Sequence, residues 1–488
     1  MSPVTQVPAQ AMPSSEADAD LVSTQSTFSV EDIRAWDGTP FVRPSLRATG
    51  YRGIWYTLGF SFDYGDKYSG GLGTYTANHQ PMAVYAPAVQ RTFFVYGGAP
   101  ADGTRELAIM IGSFDHATGR VCRPVVLYFD PTVDDPHDNA SIQIDSAGYI
   151  WVFKSGRGAT RPGVIFRSTE PYSLDAFECI ASQEFTYPQA WYDEEEGFLL
   201  LFAKYTFFNR AGPERALYWK SSRDGREWSA DHLLAAFDGH YQTSGSHGRK
   251  IATFFNWHPD SDNDLRTNVY YAQTTDWGRT WTTADGRPLE LPLASAKNDA
   301  LIADLRAEGK LMYSCDLNFD RDGNPVLLFI VSRAGEPGPK GDPREWTIMH
   351  WHAGAWHTRV ITNSGHNYDM GSLYIDGDHW TIIGPTGDKP QPHGTGGEME
   401  LWASQDAGLT WRRDRAITHD SPYNHSYARR PLAAADPFFA FWADGDTDRM
   451  SPSRLHFTDS TGSRVWRFPE EMSGSTAEPE LLSLGSTL

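Results

Sequence analysis

The chain contains only three cysteines, Cys122, Cys179 and Cys315, among 488 residues. They are far apart and odd in number, which excludes a disulfide framework and a cysteine-based zinc site. Basic residues are also scarce: 42 Lys and Arg face 62 Asp and Glu, a formal charge of −20. Sequence-independent nucleic-acid binding needs a basic surface that displaces counterions, so no nucleic-acid partner is expected. No apolar run approaches the ~20 residues of a membrane helix, and the mean hydropathy is −0.49, so no membrane partner is expected either. The opening residues lack the basic and apolar regions of a secretory signal. The expected location is therefore the cytoplasm, or the cell exterior after removal of a signal.

What the chain does have is aromatic and turn chemistry. Seventeen Trp, 44 Gly and 31 Pro exclude a mostly disordered chain and point to many short elements joined by tight turns. Residues 1–45, rich in Pro, Ser, Ala and Asp at the start, read as a flexible leader and a lead-in strand. Residues 473–488 read as a flexible tail, and 46–472 as one domain. Within that domain, segments such as RTFFVYGG, YIWVFKSG, GFLLLFAKY, KIATFFNW and NPVLLFIVS are short, β-branched or aromatic, and bounded by Gly, Asp, Asn or Pro. Amphipathic helical windows are scarce, and the class is all-β.

The strands recur in groups that open on a polar residue, usually His. The openers are His79, His137, Tyr187, His240, His366 and His425, at intervals of 58, 50, 53, 126 and 59 residues. The interval of 126 spans two units, with the missing opener near Met312 and Tyr313. Three units carry a second mark after their third strand. Thr274–Trp281 (TTDWGRTW) and Ser404–Trp411 (SQDAGLTW) fit S/T-x-D-x-G-x-T-W, and Ser222–Trp228 is a copy one residue short. This is the Asp-box, a turn whose Asp and hydroxyl side chains satisfy backbone amides and whose Trp packs between sheets. Seven units of this kind predict a seven-bladed β-propeller with the openers ringed at one mouth of a central channel.

Side chains two apart on a strand share a face. His425, Tyr427 and Arg429 therefore point together, as do His366 with Tyr368, His137 with Asn139, and His240 with Gln242. With His79 they make a mouth rich in imidazole, phenol, amide and guanidinium, suited to an anionic sugar. No Asp or Glu stands at an opener, as a glycosidase carboxyl pair would require, although Asp369 and Glu398 lie in mouth segments. No Arg-Ile-Pro motif supports a sialidase. Two acidic runs, Asp316–Gly323 and Asp260–Asp264, have calcium-loop spacing. Phe329 stands where the first would need its closing Glu, and the two read as a hairpin turn and a solvated loop.

The segment HDNASIQIDSAGYIWVFKSGRG (137–158), the later Thr186-Tyr187-Pro188 and the strand ending FAKY resemble the BNR-4 propellers, which include ulvan lyases. YRGIWY (51–56), YSGGLGTYT (68–76), HNYDMGSLYI and SPYNHSYARRP resemble most the fungal L-rhamnose-α-1,4-D-glucuronate lyases that trim gum arabic side chains. The resemblance covers about residues 45 to 470. It implies a β-eliminating lyase with His137 and Tyr187 as catalytic acid or base. Arg157 stands where ulvan lyases carry a second His, and Lys204 where an Arg neutralises the uronate. His79, Asn139, His240, His366, Tyr368, His425, Tyr427 and Arg429 would bind sugar. The resemblance also implies a Ca²⁺ near the propeller centre, with no ligand named. The expected partner is an acidic rhamnose-containing glycan, and the expected state a monomer. An α-L-rhamnosidase, an endo-acting ulvan lyase and a non-catalytic carbohydrate-binding propeller remain as alternatives. A charge of −20 favours removal of a capping sugar over a long polyanion groove.

Overall fold

The computed structural model describes residues 41–74, 78–99, 105–206 and 214–482. Its elements are antiparallel strands and a few single-turn 3₁₀ segments, and none of its helices is long and apolar enough to cross a membrane. Most of the flexible leader expected at the start lies outside the described residues.

Six discrete blades follow one another along the chain, each a meander whose first strand is innermost. Their inner strands are Ala140–Ile144, Thr186–Asp193, Gln242–His247, Leu311–Phe319, Ser372–Asp376 and Asn424–Arg429. The unit opening at His79 is different. Its strands Ala83–Ala86, Arg91–Gly98, Ala108–Asp115 and Val125–Phe129 belong to a ten-stranded composite sheet. That sheet also recruits Leu46–Arg47, Gly53–Thr57, Ser451–Ser453 and Thr476–Ala477. The expectation of a seven-bladed β-propeller is therefore corrected: the β-propeller has six blades, and the unit opening at His79 belongs to a merged sheet. The physical cause is that strands from both ends of the chain satisfy the edges of this unit, where unpaired amides would otherwise face solvent.

The expected loose tail is corrected in the same way. Thr476–Ala477 pairs with Arg120–Cys122, and Glu480–Leu482 pairs with Val465–Arg467. At the other end, Phe41–Pro44 adds a fifth strand to the blade that opens at His137.

Side-chain amides and hydroxyls tie the inner strands together round the channel. Gln143 Nε2 donates to the Ala190 carbonyl at 3.1 Å, Gln189 Nε2 to that of Gln242 at 2.9 Å, and Thr243 Oγ1 to Ser314 Oγ at 2.8 Å. Asn318 Nδ2 donates to the Leu373 carbonyl and Ser372 Oγ to that of Ala428, both at 2.9 Å. Such buried bonds fix register between blades because an unmade partner here would be costly.

The Asp-boxes close turns at the outer part of their blades. Asp276 Oδ1 accepts from the Thr280 amide at 2.8 Å and Thr274 Oγ1 from that of Gly278 at 2.9 Å, with matching distances at Asp406 and Ser404. Gly278 needs its positive φ of 88° and its lack of a side chain: a Cβ there would lie 2.5 Å from Trp219 of the preceding blade. Trp281 packs edge-on against the same Trp219, ring centroids 5.4 Å apart.

Candidate active site

The turn before the inner strand Ala140–Ile144 sets the first group. Pro136 opens a single 3₁₀ turn, and Asp135 caps it, accepting from the His137 amide at 3.0 Å. The same carboxylate accepts from His137 Nδ1, from Arg157 Nη1 at 2.7 Å and from Arg161 Nη2 at 2.5 Å. Asp138 receives Lys154 Nζ at 2.7 Å and Arg161 at 3.1 Å. Burial pushes the His137 imidazole down to about 4, against the pull of Asp135. The ring is therefore neutral at pH 7, with its proton on Nδ1 facing Asp135 and Nε2 as the basic nitrogen. Burial would raise Asp135, but His137 and Arg157 hold it well below the usual carboxylate range.

Tyr187 comes next, from the neighbouring blade. Its strand carries a bulge between Thr186 and Gln189, and Tyr187 sits in the left-handed region at φ 55°, immediately before Pro188. A bulky residue is held there only when its surroundings over-determine it. Its amide donates to Ser155 Oγ at 3.0 Å, and Thr186 Oγ1 donates to the Gly156 carbonyl at 2.8 Å. The bulge turns the ring toward the opener turn: its centroid is 5.4 Å from that of His137 and 5.2 Å from that of His79.

Two cations flank this pair. Arg157 lies 5.6 Å from the Tyr205 ring centroid, and Arg215 lies 5.1 Å from the same ring and 5.9 Å from that of Tyr187. Arg215 Nη2 also donates to the Tyr205 hydroxyl at 3.2 Å. The placement of Lys204 is a correction. On the regular hairpin Gly197–Thr206 with Glu214–Ser222, Tyr205 stands opposite Arg215, so its neighbour Lys204 faces the other side of the sheet. There Lys204 meets Asp231 at 2.5 Å and Glu184 at 3.8 Å, and its Nζ lies 5.5 Å from the Tyr218 ring centroid. The cation beside Tyr187 is Arg215, which carries no motif of its own and is missed in the sequence; its hairpin pairing opposite Tyr205 brings it to this face.

A second cluster adjoins the first through Tyr241. Its ring is 4.3 Å from the guanidinium of Arg215 and 4.3 Å from that of Arg266. Arg266 is also 5.6, 5.1 and 5.4 Å from the rings of Tyr68, Tyr313 and Tyr368. Burial opposes the charge, but the surrounding phenols keep Arg266 protonated. Residues Ser69–Leu72 run across this mouth, tied down by Tyr427 Oη to the Ser69 carbonyl (2.9 Å), the Gly71 amide to Ser426 Oγ (2.9 Å) and Asn139 Nδ2 to the Leu72 carbonyl (2.6 Å). The close approach needs Gly70, where a Cβ would lie 2.2 Å from the Tyr427 ring.

The other ring histidines are engaged within the protein. His79 Nε2 donates to the His137 carbonyl at 3.1 Å and so braces the His137 turn. His240 Nδ1 pairs with the Asn256 carbonyl at 2.8 Å, and His366 Nδ1 with Thr395 Oγ1 at 3.2 Å. Arg429 is buried over the Tyr427 ring at 5.5 Å. These groups shape the mouth, and Tyr368 belongs to the Arg266 cluster.

Calcium fits none of the candidate donor sets among the described residues. Asp320 accepts from the Asp322 and Asn324 amides at 2.9 and 2.8 Å and closes a hairpin turn, and Asp264 pairs with Lys67. His425, Asp444 and His456 bring potential ligand atoms within 4.8 Å of one another, but calcium takes oxygen ligands. Arg454 occupies both Asp444 oxygens, at 3.2 and 2.5 Å. Trp442 Nε1 donates to His425 Nδ1 at 2.9 Å, which leaves Nε2 as the protonated nitrogen, donating to Ser421 Oγ at 2.9 Å.

These buried histidines have a consequence for stability. Burial depresses His79 and His240 to about 3 and His137, His425 and His456 to about 4, from 6.5. The unfolded chain thus binds more protons than the folded one below pH 6.5. The stabilisation is fully present above that pH and is lost as pH falls toward 4 and 3, by about 1.4 kcal/mol per pH unit per histidine. Thermal melts should show a level midpoint from pH 7 to 8 and a steep, cooperative fall between pH 6 and 4.

The shape of the molecule has relatives. A PL25 ulvan lyase superposes with a TM-score of 0.63 at 16% identity, covering 79% of this chain and 92% of that one. The same lyase has also been seen bound to -[GlcA(1-4)Rha3S]-, with the same TM-score, identity and coverage. The polysaccharide lyase Uly1 superposes with a TM-score of 0.55 at 12% identity, covering 85% of this chain and all of that one. At these identities the likeness establishes the fold. No curated protein sequence matches the chain. The BNR_4 family model, described as a BNR repeat-containing family member, matches residues 101–364, more than half of the chain, and the protein belongs to that family.

Proposed function

We propose that the protein is a polysaccharide lyase that cleaves L-rhamnose-α-1,4-D-glucuronate linkages by β-elimination, releasing terminal rhamnose from an acidic glycan. The observation that carries this reading is a neutral His137 beside Tyr187, ring centroids 5.4 Å apart, in a locally cationic cluster. Asp135 and Asp138 are outnumbered there by Lys154, Arg157, Arg161 and Arg215. On a chain of charge −20 such an excess of cations suits a uronate carboxylate.

The chemistry requires these parts. H5 of glucuronate is α to a carboxylate and weakly acidic until that charge is neutralised, which Arg157 and Arg215 would do. His137 Nε2 takes the proton from C5. Electrons move into the C4–C5 bond, the C4–O4 bond breaks, and Tyr187 protonates the departing oxygen. Rhamnose leaves, and an unsaturated uronate remains. The ulvan lyase neighbours act on polysaccharides by name, which supports the reaction class. The hydrolase alternative is disfavoured because both site carboxylates are committed to cations, leaving no pair to flank a glycosidic bond.

Incubation with gum arabic tests the proposal. Ultraviolet absorbance from the conjugated uronate should rise together with free rhamnose. Rhamnose without absorbance would mean hydrolysis, and neither signal on gum arabic or ulvan would mean a binding protein.

A further inference from the structure

We propose that a groove beside the mouth is a second binding site for anionic sugars, holding an acidic residue of the same glycan away from the cleaved bond. The groove has a volume of 380 Å³ and is walled by Phe62, Leu265, Arg306, Lys310, Arg333 and Lys340. It is built from loops that follow the second strands of two adjacent blades, Lys250–Trp257 and Pro325–Ser332, from the connection between Leu301–Ala303 and Leu311–Phe319 that carries Arg306 and Lys310, and from the hairpin Ser61–Phe62 with Gly65–Asp66.

Charge is the first argument. Four cations line the groove against two carboxylates, Asp264 and Glu336, on a protein with an acidic excess of 20. Both carboxylates are already committed, Asp264 to Lys67 and Glu336 to Lys340 at 2.9 Å. Lys310 pairs with Glu308 at 2.8 Å. Arg306 and Arg333 have no carboxylate partner among the described residues; Arg306 lies over the Trp257 ring at 4.6 Å. Planar guanidinium groups left in this state match the geometry of carboxylate or sulfate oxygens.

Surface chemistry is the second. Phe62 and Leu265, which both line the groove, are 43% and 45% exposed. An apolar face beside fixed cations is the combination that holds an acidic pyranose, whose ring face stacks while its anion is bound. Continuity with the mouth is the third. Asp264 accepts from the Tyr68 hydroxyl at 3.4 Å, and a Cβ on Gly335 would lie 3.5 Å from the Tyr313 hydroxyl. The groove therefore abuts the Arg266 tyrosine cluster, which leads through Tyr241 to Arg215 and Tyr187.

The identity of the glycan rests on the lyase reading; the anion preference of the groove does not. Binding is therefore measured directly on the full chain, by calorimetry with gum arabic, ulvan, desulfated ulvan and a neutral galactan. Wild type should bind the acidic glycans with an affinity that falls as salt rises, and Arg306→Ala/Arg333→Ala should lose about tenfold. That variant should keep its kcat on a rhamnosyl-glucuronate disaccharide, and Phe62→Ala should weaken binding without altering the salt dependence. Equal loss on ulvan and desulfated ulvan assigns the groove to carboxylates; loss on ulvan alone assigns it to sulfate. Unchanged affinity in the double variant, or equal binding of the neutral galactan, overturns the proposal. Loss of acidic-glycan binding by the double variant, with no unsaturated product from wild type, would keep the groove and discard the lyase chemistry.

Discussion

His137→Ala should lower kcat by about 10³-fold, within the range that a positioned acid or base contributes, while the folded protein persists. The imidazole is the one group at the site that burial keeps neutral and that a carboxylate orients: Asp135 accepts the hydrogen bond from Nδ1 and so leaves the lone pair on Nε2. Removing it leaves Asp135 paired with Arg157 and Arg161, so the turn keeps its cap and its charge balance. A pH profile separates this role from a structural one. In wild type, kcat/KM should fall on the acid side through about pH 4, where His137 takes up its proton. His137→Gln, which keeps a hydrogen-bonding side chain, should lose that limb with the activity. Retention of full turnover in both variants would move the base elsewhere.

The second large effect separates two cations that sequence alone does not tell apart. Arg215→Ala should cost about 10²- to 10³-fold in kcat, as expected for loss of a group that stabilises developing negative charge. Arg215→Lys should recover only part of it, because a point charge cannot reproduce the contact to Tyr205 and the stacking on Tyr241. Lys204→Ala, on the opposite face of the same hairpin, should leave kcat within about twofold, since its partners are Asp231 and Glu184. Steady-state kinetics on the rhamnosyl-glucuronate disaccharide read both. A severe loss in Lys204→Ala with an active Arg215→Ala would reverse the assignment.

The propeller was legible because its marks are local. Asp-box turns depend on residues within eight positions, and openers recur at the length of a four-stranded meander. The merged sheet was not, because Leu46–Arg47 and Ser451–Ser453 meet it only through pairing of distant segments. The same divide runs through the site. His137 and Tyr187 stand in motifs, and the bulge that turns Tyr187 is signalled by its Pro188. Arg215, Tyr241 and Arg266 carry no motif; they are gathered by strand alternation and by contacts between blades. The ring histidines carry a second demand that the sequence does not display: a closely packed channel must satisfy its own amides and carbonyls. His79, His240 and His366 do that work, and His79 does so on the backbone of His137 itself.

The claim that elimination, not hydrolysis, takes place at this site is tested most directly by the mass of the uronate product from a purified rhamnosyl-glucuronate disaccharide. Wild type should yield rhamnose and an unsaturated uronate in equal amounts, the latter lighter than glucuronate by one water, with neither product formed by His137→Ala. Saturated glucuronate accumulating with rhamnose would contradict the account.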